Sequence, residues 1–544
     1  MSTYTYPRYE YRRPPELDGT TGHCAVIVVG AGPVGLVAAI DLAQRGIPVL
    51  VLDDDDTVSM GSRAICYSKR TLEILDRLGC GEPVAARGVG WKVGKVYQGS
   101  DLAYQFDLLP ETGHRRPAFV NLQQYHFEEA LVARAQALSP LEIRWRHKVT
   151  GVTPHADRVT LRVETADGHY SLTCDWLVVC DGARSPIRRM LDLDFEGQVF
   201  RDRFLIADIR MASDFPAERR FWFDPPFHPN QSVLLHRQPD DIWRVDFQLG
   251  WDADPELEKT PARIMPRLRA MLGPDAKFEI EWASVYTFQC RRMQKFRHGR
   301  LLFAGDAAHL VSPFGARGAN SGIQDADNLV WKLDLVLRGR APESLLDTYD
   351  SERVAAADEN LRNSTRSTDF ITPKSAVSRL FRDAVLSLAR RHAFARGLVN
   401  SGRLSVPKVL AQSPLNTPDR DAFAGAMVPG TVAADAPATG PRGEWLLDYL
   451  GGDFVLLAFS GGVDAAAARA LADEPVPVRV VQVGGTPDGA RTTIGDPQGL
   501  IAARYDGKPG TCYLLRPDQH VCARWRAFDA AAVRAARDRA AGRG

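Results

Sequence analysis

The chain has 544 residues and a formal net charge of +1, from 68 basic and 67 acidic side chains. This length is too great for one simple domain and predicts about two to four of them. The balanced charge argues against nucleic acid or an anionic membrane as a partner, because both favour concentrated positive charge.

Eight cysteines are scattered without a C-x-x-C pair or a metal-ligand spacing. This pattern predicts unpaired thiols in a reducing compartment, so we expect a cytoplasmic protein without a metal site. Residues 1–22 are polar, aromatic and proline-bearing, and they lack the apolar segment of a signal peptide. We predict an extended N-terminal arm there. The uncharged residues 24–40 contain three glycines and Pro33, which argues against a membrane helix.

A dinucleotide-binding pattern begins after the arm. Residues 25–29 predict a buried parallel strand, G-A-G-P-V-G follows at residues 30–35, and a helical pattern comes next. The three glycines permit a tight turn, a close approach of a pyrophosphate and close helix packing, and an acid ending the next strand can bind a ribose. This motif alone does not separate FAD from NAD. The residues concerned are Gly30, Gly32, Pro33, Val34, Gly35 and Asp53.

In two later segments, as in the first, a predicted apolar strand ends in a turn that contains glycine. Residues 176–188 predict a buried strand that ends in Asp181-Gly182, and residues 300–309 predict another that ends in Gly305-Asp306. The glycine-rich residues 312–322 then open an amphipathic helix. A glycine-rich turn at a helix start presents amides to an anionic group, such as the N1–C2=O edge of a flavin. The glycine-rich residues 88–94 follow no apolar strand and precede no helix, so we predict a loop there.

These three motifs, in this order, resemble the group A FAD-dependent aromatic hydroxylases, including phenol hydroxylase and 3-(3-hydroxyphenyl)propionate hydroxylase. The resemblance covers about residues 25–353, with a weaker one in the tail. It implies an α/β fold: a Rossmann-like FAD-binding domain with an inserted antiparallel β-sheet substrate domain and a C-terminal thioredoxin-like α/β domain. The implied boundaries are 23–199 with 286–370 for FAD binding, 200–285 for the substrate sheet, 371–430 for a helical connector and linker, and 431–544 for the tail domain.

The resemblance also implies cofactor contacts. Asp53 would hold the adenosine ribose, and Asp306 the ribityl chain. Arg63 resembles an arginine near the flavin, and Gln124 a flavin-contacting glutamine; the alternatives are a surface arginine and a helix-start residue. The remaining residues would surround the isoalloxazine or serve both FAD and NAD(P)H: Asp181, Gly182, Gly305, Pro313, Gly315, Gly318, Ala319 and Asn320.

Residues 200–289 change to short alternating segments, at 221–223, 232–237 and 242–249, which predict strands. They resemble the antiparallel substrate sheet of the family. The resemblance and their positions make these the substrate-binding candidates: His236, Gln238, Asp246, Tyr286, Trp222 and Pro313. The catalytic candidates are Tyr286, His236 and Arg244.

Other roles remain open for some of these residues. His236 could be a satisfied core histidine, and Asp246 could pair with Arg220 or Arg244. Strand alternation places Arg244 and Asp246 on one face, so a substrate carboxylate would compete with Asp246 for the arginine. We therefore expect a phenol whose substituent is uncharged or carries its charge away from the ring. Phenol hydroxylase has an acid where this chain has Ile65, so another group must polarise the hydroxyl.

The tail begins with the proline- and alanine-rich residues 413–443, which predict a linker. Alternating strands and helices follow and resemble the thioredoxin-like tail of phenol hydroxylases. Cys512 and Cys522 are too far apart for a C-x-x-C motif, so we predict a structural or dimer-forming role.

The resemblance implies a monooxygenase that uses NAD(P)H and O2 to hydroxylate a phenol ortho or para to an existing hydroxyl, through a flavin C4a-hydroperoxide. FAD would be bound non-covalently and NAD(P)H transiently, since no second Rossmann pattern is visible. We expect a homodimer. The alternatives are an FAD-dependent reductase and a non-catalytic flavin-binding protein. A flavin halogenase is disfavoured because its W-x-W-x-I-P signature is missing.

Overall fold

The computed structural model describes residues 4–19, 21–399, 404–486 and 489–544. Its strands in chain order are β1 (Gly22–Val29), β2 (Val49–Asp53), β3 (Cys66–Ser68), β4 (Val89–Trp91), β5 (Val93–Gln98), β6 (Asp101–Asp107), β7 (Phe119–Asn121), β8 (Leu141–Trp145), β9 (Lys148–Pro154), β10 (Val159–Thr165), β11 (Gly168–Val179), β12 (Glu196–Arg210), β13 (Arg219–Phe223), β14 (Ser232–Arg237), β15 (Ile242–Leu249), β16 (Glu279–Arg292), β17 (Arg297–His298), β18 (Leu301–Phe303), β19 (His309–Leu310), β20 (Phe454–Phe459), β21 (Val478–Val483), β22 (Thr492–Ile494), β23 (Cys512–Leu515) and β24 (Val521–Trp525).

The α-helices in chain order are α1 (Pro33–Gln44), α2 (Lys69–Arg77), α3 (Gly81–Arg87), α4 (Gln124–Gln136), α5 (Pro186–Met190), α6 (Pro255–Glu258), α7 (Pro261–Leu272), α8 (Gly318–Leu337), α9 (Asp347–Ile371), α10 (Ala376–Ala389), α11 (Ala393–Leu398), α12 (Ala465–Ala472), α13 (Leu500–Arg504) and α14 (Ala530–Ala540). Within the described residues, no helix is both long and apolar enough to cross a membrane.

The first sheet has β1 at its centre, parallel to β11 on one side and to β2 on the other. β18 and β8 extend this parallel arrangement at either end. Its central strands are buried and rich in valine, isoleucine and leucine, as parallel strands covered on both faces require. Parallel strands share one carboxyl edge, so the turns that follow β1, β2, β11 and β18 meet there.

The second sheet has the strand order β19-β16-β12-β15-β14-β13-β5-β6. It is antiparallel except for the parallel pair β13 and β5. It is wider than the predicted range of 200–285, because β5 and β6 come from residues 93–107. The prediction of a loop at residues 88–94 is wrong, since β4 and β5 lie there. Gly94 is needed for packing rather than for a turn, because a Cβ at this position would lie 2.1 Å from the ring of Phe106.

The two faces of the second sheet have different neighbours. One face packs on α7 through an apolar cluster that includes Leu235, Trp243 and Ile264. The other face packs on α10, α11 and the loop that contains Phe314. Through Phe314, this second face contacts the loop that precedes α8.

The C-terminal sheet has the order β22-β21-β20-β23-β24. β20 and β21 are parallel, and β23 and β24 are antiparallel to their neighbours. With α12, α13 and α14 this forms the βαβ–ββα arrangement of a thioredoxin-like domain, so the predicted fold class is confirmed. Residues 413–443, expected to be a linker, are instead packed, with Leu415, Met427, Ala433 and Ala436 buried in two cores.

The described part of the N-terminal arm is extended and ends in a short 3-10 helix, Pro15–Asp18. It lies against the first domain rather than in solvent. The Tyr4 ring stacks on Tyr125 at 4.0 Å, and the Tyr9 ring stacks on Trp145 at 4.4 Å. The aromatic composition that marked this segment therefore serves packing.

Candidate active site

Four strand ends lie side by side at the carboxyl edge of the first sheet. Val29 is opposite both Leu52 and Val179, and Val179 is opposite Phe303. The three sequence motifs and the acid after β2 all follow these strands directly. The fold therefore brings together residues that are up to about 270 positions apart along the chain.

The first motif forms a turn whose glycines have separate functions. Gly30 has φ +105°, and a Cβ there would lie 2.4 Å from the carbonyl oxygen of Cys180. A Cβ at Gly35 would lie 2.0 Å from the carbonyl oxygen of Gly30. Gly32, which caps α1, has no heavy atom within 4 Å of its Cβ position. Packing requires the outer glycines, and the middle one leaves space where a pyrophosphate can approach the helix start.

We expect Gly32→Ala to fold normally and bind FAD about tenfold or more weakly. The added methyl group meets no protein atom, so the free energy of unfolding should change by less than about 0.5 kcal/mol. It would occupy the space in which phosphate oxygens reach backbone amides, whose charge-assisted hydrogen bonds are strong. FAD titration and thermal melting of the apoprotein measure the two effects. Unchanged FAD affinity would show that the pyrophosphate lies elsewhere.

Asp53 ends β2 and faces this turn. Its carboxylate accepts backbone N–H bonds from Ala31, at 2.5 Å, and from Asp55, at 2.9 Å. Burial raises the pKa of Asp53 to about 6, and the charges of the neighbouring Asp54 and Asp55 act in the same direction. Ribose hydroxyls that donate to this carboxylate would favour its charged form.

The second half of the cleft is formed by the turn after β18. Gly305 has φ +61°, and a Cβ there would lie 2.8 Å from Val34 on α1. The side chain of Asp306 is exposed to the cleft, and the surrounding protein raises its pKa. Arg63 is also exposed, and it lowers the pKa of Asp306. A carboxylate and an arginine therefore both face the open cleft.

Asp325, which was not among the predicted residues, holds this turn in place. Its fully buried carboxylate accepts from the backbone N–H of Gly305 at 3.1 Å, contacts His309 Nε2 at 2.6 Å and pairs with Arg353 Nε at 2.6 Å. Burial opposes its charge, but His309 and Arg353 hold the pKa of Asp325 below its usual value. An acid inside the amphipathic pattern of α8 was the signal that could have identified it.

The turn after β11 is tied to the same region. Asp181 Oδ2 accepts the backbone N–H of Ile187 at 3.1 Å, and its other oxygen is buried without a partner in the described residues. Arg188 donates to the carbonyl oxygens of Ala307, at 2.6 Å, and Ala183, at 2.9 Å. The second motif thus supports the third. Gly182, with φ +80°, lies in the turn that follows β11.

The loop before β3 presents Arg63 and is braced from several sides. Gln124 accepts from the backbone N–H of Ala64 at 3.0 Å and donates to Ser59 Oγ at 3.1 Å. Tyr6 of the arm accepts from the backbone N–H of Gly61 at 2.9 Å. The side chain of Gln124, predicted to contact the flavin, is thus bonded to this loop. Its structural contribution is to position Arg63.

Arg244, one of the three catalytic candidates, is already occupied by protein partners. Its guanidinium is buried, makes two bonds of 2.7 Å to Asp208 and donates to the carbonyl oxygens of Ser62 and Arg63. These partners leave it little capacity to bind a substrate. Arg244 instead fixes the loop that presents Arg63.

The loop between β19 and α8 forms the far wall of the cleft. Pro313 is exposed there, and Gly315 has φ +109°. The side chain of Asn320 is bonded to the protein: it accepts from Ser68 N at 2.8 Å and donates to Cys66 O at 2.8 Å. The first amides of α8, at Gly318 and Ala319, are therefore held at a fixed helix start, as an anion-binding edge requires.

The predicted substrate residues divide between the two faces of the second sheet. Trp222, predicted to bind the substrate, instead packs on the α7 side of the sheet, where its ring stacks on Tyr97 at 5.2 Å. Its neighbours Phe221 and Phe223 lie on the other face. Tyr286 packs with the cluster that faces the cleft, 5.4 Å from the Phe288 ring. Burial raises the pKa of Tyr286 to about 12, and the charges of Asp306 and Arg63 act on it in opposite directions.

Arg219, which was not among the predicted residues, lies on the cleft-facing side of the sheet with His236 and Asp246. His236 is buried, with Nδ1 4.0 Å from Cys66 Sγ, and burial keeps its pKa well below the usual value. Burial raises the pKa of Asp246 to about 7, and one of its oxygens has no partner among the described residues. Gln238 is buried, and neither the nitrogen nor the oxygen of its side-chain amide has a hydrogen-bond partner among the described residues.

An aromatic pocket opens on this face and reaches the loop of Gly315. Its apolar wall consists of Val96, Phe106, Phe221, Phe223, Phe314, Ile371, Val399 and Leu404. Lys95 and Arg219 also line it, whereas His236, Gln238, Asp246 and Tyr286 lie outside this lining. Aromatic rings around a cavity suit a flat apolar ligand, and the cavity ends at the loop expected to border the flavin.

The glycine turns at the carboxyl edge of the first sheet have the form of a dinucleotide-binding site, and the aromatic pocket lined by Gly315 lies on the second sheet. Residues 23–364 match the FAD binding domain family, so the chain belongs to it. More particularly, it is an FAD-dependent monooxygenase of the group A aromatic hydroxylases, with FAD as its cofactor.

Two relatives agree with this assignment, and a solved structure agrees with the fold. The chain is 32% identical over 541 residues to the 6-methylpretetramide 4-monooxygenase of Streptomyces rimosus, which covers 94% of this chain and 92% of that protein. It is 29% identical over 524 residues to a 3-(3-hydroxy-phenyl)propionate/3-hydroxycinnamic acid hydroxylase of Mycolicibacterium gilvum, covering 92% and 88%. The flavin-dependent monooxygenase PieE, solved with FAD and substrate, matches in fold with a TM-score of 0.81 at 22% identity, covering 96% and 99%.

Proposed function

We propose that this enzyme uses NAD(P)H and O2 to hydroxylate a phenolic ring ortho or para to an existing hydroxyl. The observation that carries the proposal is the aromatic pocket lined by both Phe314-Gly315 and the cleft-facing strands of the second sheet. A ring held there lies between the loop expected to border the flavin and the polar residues of the sheet.

Bound FAD would supply the oxygen chemistry, and the protein residues would position and shield the reactants. The turn of Gly30, Asp53 and Asp306 would hold the dinucleotide, and α8 would direct its first amides to the flavin edge. Phe221, Phe223 and Phe314 would fix the plane of the ring and exclude water. Tyr286, near Asp306 and Arg63, would donate a hydrogen bond to an oxygen of the ring.

A panel of substituted phenols, including polycyclic ones, tests this function. Polycyclic compounds belong in it because one relative is named 6-methylpretetramide 4-monooxygenase. NAD(P)H oxidation is recorded for each compound, and hydrogen peroxide is counted separately. We expect at least one phenol to stimulate oxidation with far less peroxide than NAD(P)H consumed. If peroxide accounts for all the NAD(P)H with every phenol, the proposal is wrong.

Tyr286→Phe should lower coupled hydroxylation more than FAD affinity. The ring that packs on Phe288 is kept, so the fold and the cleft should not change. The lost hydroxyl would act on the phenol alone, and one hydrogen bond contributes roughly 0.5–1.5 kcal/mol, or about 2- to 13-fold. Product formed per NAD(P)H and FAD affinity are the two measurements. A parallel loss of both would place Tyr286 against the flavin instead.

Three further predictions stay proposals: a homodimer, a cytoplasmic location and a structural tail. All eight cysteines are free thiols, as expected for a reducing compartment. Burial raises the pKa of both Cys512 and Cys522 to about 12, which opposes a redox role for either thiol. Among the residues that the structure describes, no acidic, histidine and cysteine cluster could hold a metal.

A further inference from the structure

Two opposite charges on the cleft-facing side of the second sheet lack partners. Arg219 lines the aromatic pocket, and no hydrogen bond or ion pair reaches its guanidinium from the residues described. Asp246 lies nearby on β15, where one carboxylate oxygen is buried without a partner in the same residues. The two charges influence each other electrostatically, yet no ion pair joins them.

The other charged groups near the pocket are already paired or neutral. Lys95, which also lines the pocket, pairs with Glu218 at 2.9 Å. Arg244 is paired with Asp208. Burial raises the pKa of the Cys66 thiol to about 12 and keeps the pKa of His236 well below its usual value, so both are neutral at pH 7. Arg219 and Asp246 therefore remain as an arginine and a carboxylate that no hydrogen bond or ion pair joins to another described residue. Buried charges are normally paired, so such an arrangement suggests a ligand that completes it.

Resting on the proposed function, we propose that Arg219 and Asp246 form the subsite that activates the phenol. The substrate hydroxyl would lie between them, giving its proton to the Asp246 carboxylate while its oxygen, now a phenolate, is held by Arg219. No other bond forms or breaks in this step, and the proton returns from Asp246 to the product oxygen. This subsite would supply the activation for which Ile65 offers no acid.

The location of the pair fits this role. Arg219 and Gly315 line the same pocket, so a ring whose hydroxyl contacts Arg219 also approaches the loop expected to border the flavin. A phenolate makes its ortho and para carbons electron-rich, which is what attack on an activated oxygen requires. Asp246, with its pKa raised to about 7, is suited to exchange a proton at neutral pH.

The neighbouring arginine offers a matched control. Arg220 is adjacent on β13, but its side chain lies on the opposite side of the strand and donates to Glu218 at 2.8 Å. Arg220→Gln removes the same charge from the same strand at a residue outside the pocket lining, and Glu218 keeps its ion pair of 2.9 Å with Lys95 of the lining. Arg219→Lys keeps the charge and serves as a second variant if Arg219→Gln folds poorly.

The test uses the FAD-loaded enzyme and 4-nitrophenol, whose phenolate is detected by its absorbance. In wild type and Arg220→Gln, the bound phenol should ionise at a lower pH than the free phenol. In Arg219→Gln the pH at which half of the bound phenol is ionised (the midpoint) should rise by about one pH unit or more, which is a tenfold change in ionisation. The midpoint of Arg219→Lys should lie between those of wild type and Arg219→Gln. Asp246→Asn should bind FAD normally and slow coupled hydroxylation by roughly 10²- to 10⁴-fold, with partial recovery in Asp246→Glu.

Identical midpoints in wild type and Arg219→Gln would overturn the subsite. A second result would also overturn the subsite. It is that wild type binds 4-hydroxybenzoate more tightly than 4-nitrophenol, and that Arg219→Gln loses this preference without a change in the ionisation midpoint. Arg219 would then bind a substrate carboxylate rather than a phenolate. The proposed function fails separately, if the midpoint shift is present but no phenol is oxygenated. Hydroxylation without the shift would leave the function standing and remove the subsite alone.

Discussion

Asp306→Ala is expected to weaken FAD binding about 30- to 150-fold, since removal of a charged hydrogen-bond partner typically loses about 2–3 kcal/mol. Asp306 is the carboxylate that the turn after β18 exposes to the cleft, and no protein group bonds to it within the described residues. Its removal should therefore leave the fold unchanged. FAD affinity is measured by titrating apoprotein and following flavin fluorescence, with thermal melting alongside.

Asp157→Ala is the matched control for Asp306→Ala. Asp157 is an exposed acid that pairs with the adjacent Arg158 at 3.0 Å in the turn between β9 and β10. This turn lies at the amino end of β18, where Arg300 donates to the carbonyl oxygen of Ala156, whereas Asp306 follows the carboxyl end. Its removal should leave FAD affinity unchanged. Normal FAD binding by Asp306→Ala would refute the assignment of this residue to the ribityl chain.

Arg516→Met should have the largest effect on stability, lowering the free energy of unfolding by about 3–5 kcal/mol. Arg516 is fully buried between the tail and the FAD domain. It bonds to Glu352 at 2.6 and 3.1 Å and to Asp518 at 3.0 Å, while Lys332 donates to Glu352 at 2.7 Å. Removing the arginine leaves two carboxylates with one lysine in a buried network. Urea denaturation of the FAD-loaded protein measures the loss.

The effect of Arg516→Met should depend on pH in a defined direction. Burial opposes the charge of Glu352, but Arg516 and Lys332 hold its pKa well below the ordinary 4.5. A carboxyl whose pKa is lowered by folding stabilises the fold above its unfolded pKa and loses that contribution as the pH falls. The difference between wild type and Arg516→Met should therefore be full at pH 7 and shrink below about pH 4.5.

Arg479→Met provides the control for this network. Arg479 of the same domain pairs with the half-exposed Asp453 at 3.1 Å and also donates to the carbonyl oxygen of Gly451 at 3.0 Å. Such pairs contribute at most about 1 kcal/mol, so its loss should be small. An equally small loss in Arg516→Met would contradict the view that the tail is attached to the FAD domain through this buried network. Arg70 extends the attachment, since it bonds to Asp327 and to Gln519, at 2.8 and 2.6 Å.

The FAD cradle could be predicted from sequence because its signals are local. The glycines of residues 30–35, Asp53 and Gly305-Asp306 each follow an apolar strand directly, and parallel strands bring their carboxyl ends together. The groups that support these motifs could not be predicted in this way. Asp325 reaches back to Gly305 over 20 residues, and its partner Arg353 lies on another helix.

The substrate side was harder to predict because one residue of register reverses a strand's faces. Phe221 and Phe223 line the pocket, so Arg219 points into it while Trp222 and Arg220 point away. The alternation was visible, but which face was the inner one depended on tertiary packing. Arg244 does share a face with Asp246, as predicted, but Arg244 is bonded to Asp208 of β12 instead. This partner could not be predicted without the order of the strands in the sheet.

Oxygen labelling tests the central claim most directly. The FAD-loaded enzyme is supplied with NAD(P)H, ¹⁸O₂ and the phenol that best stimulates oxidation in the panel, and the product is analysed by mass spectrometry. A monooxygenase should place one ¹⁸O atom in each product molecule, with no label when FAD or NAD(P)H is omitted. A product that carries no ¹⁸O, or a substrate that is reduced rather than oxygenated, would contradict the assignment.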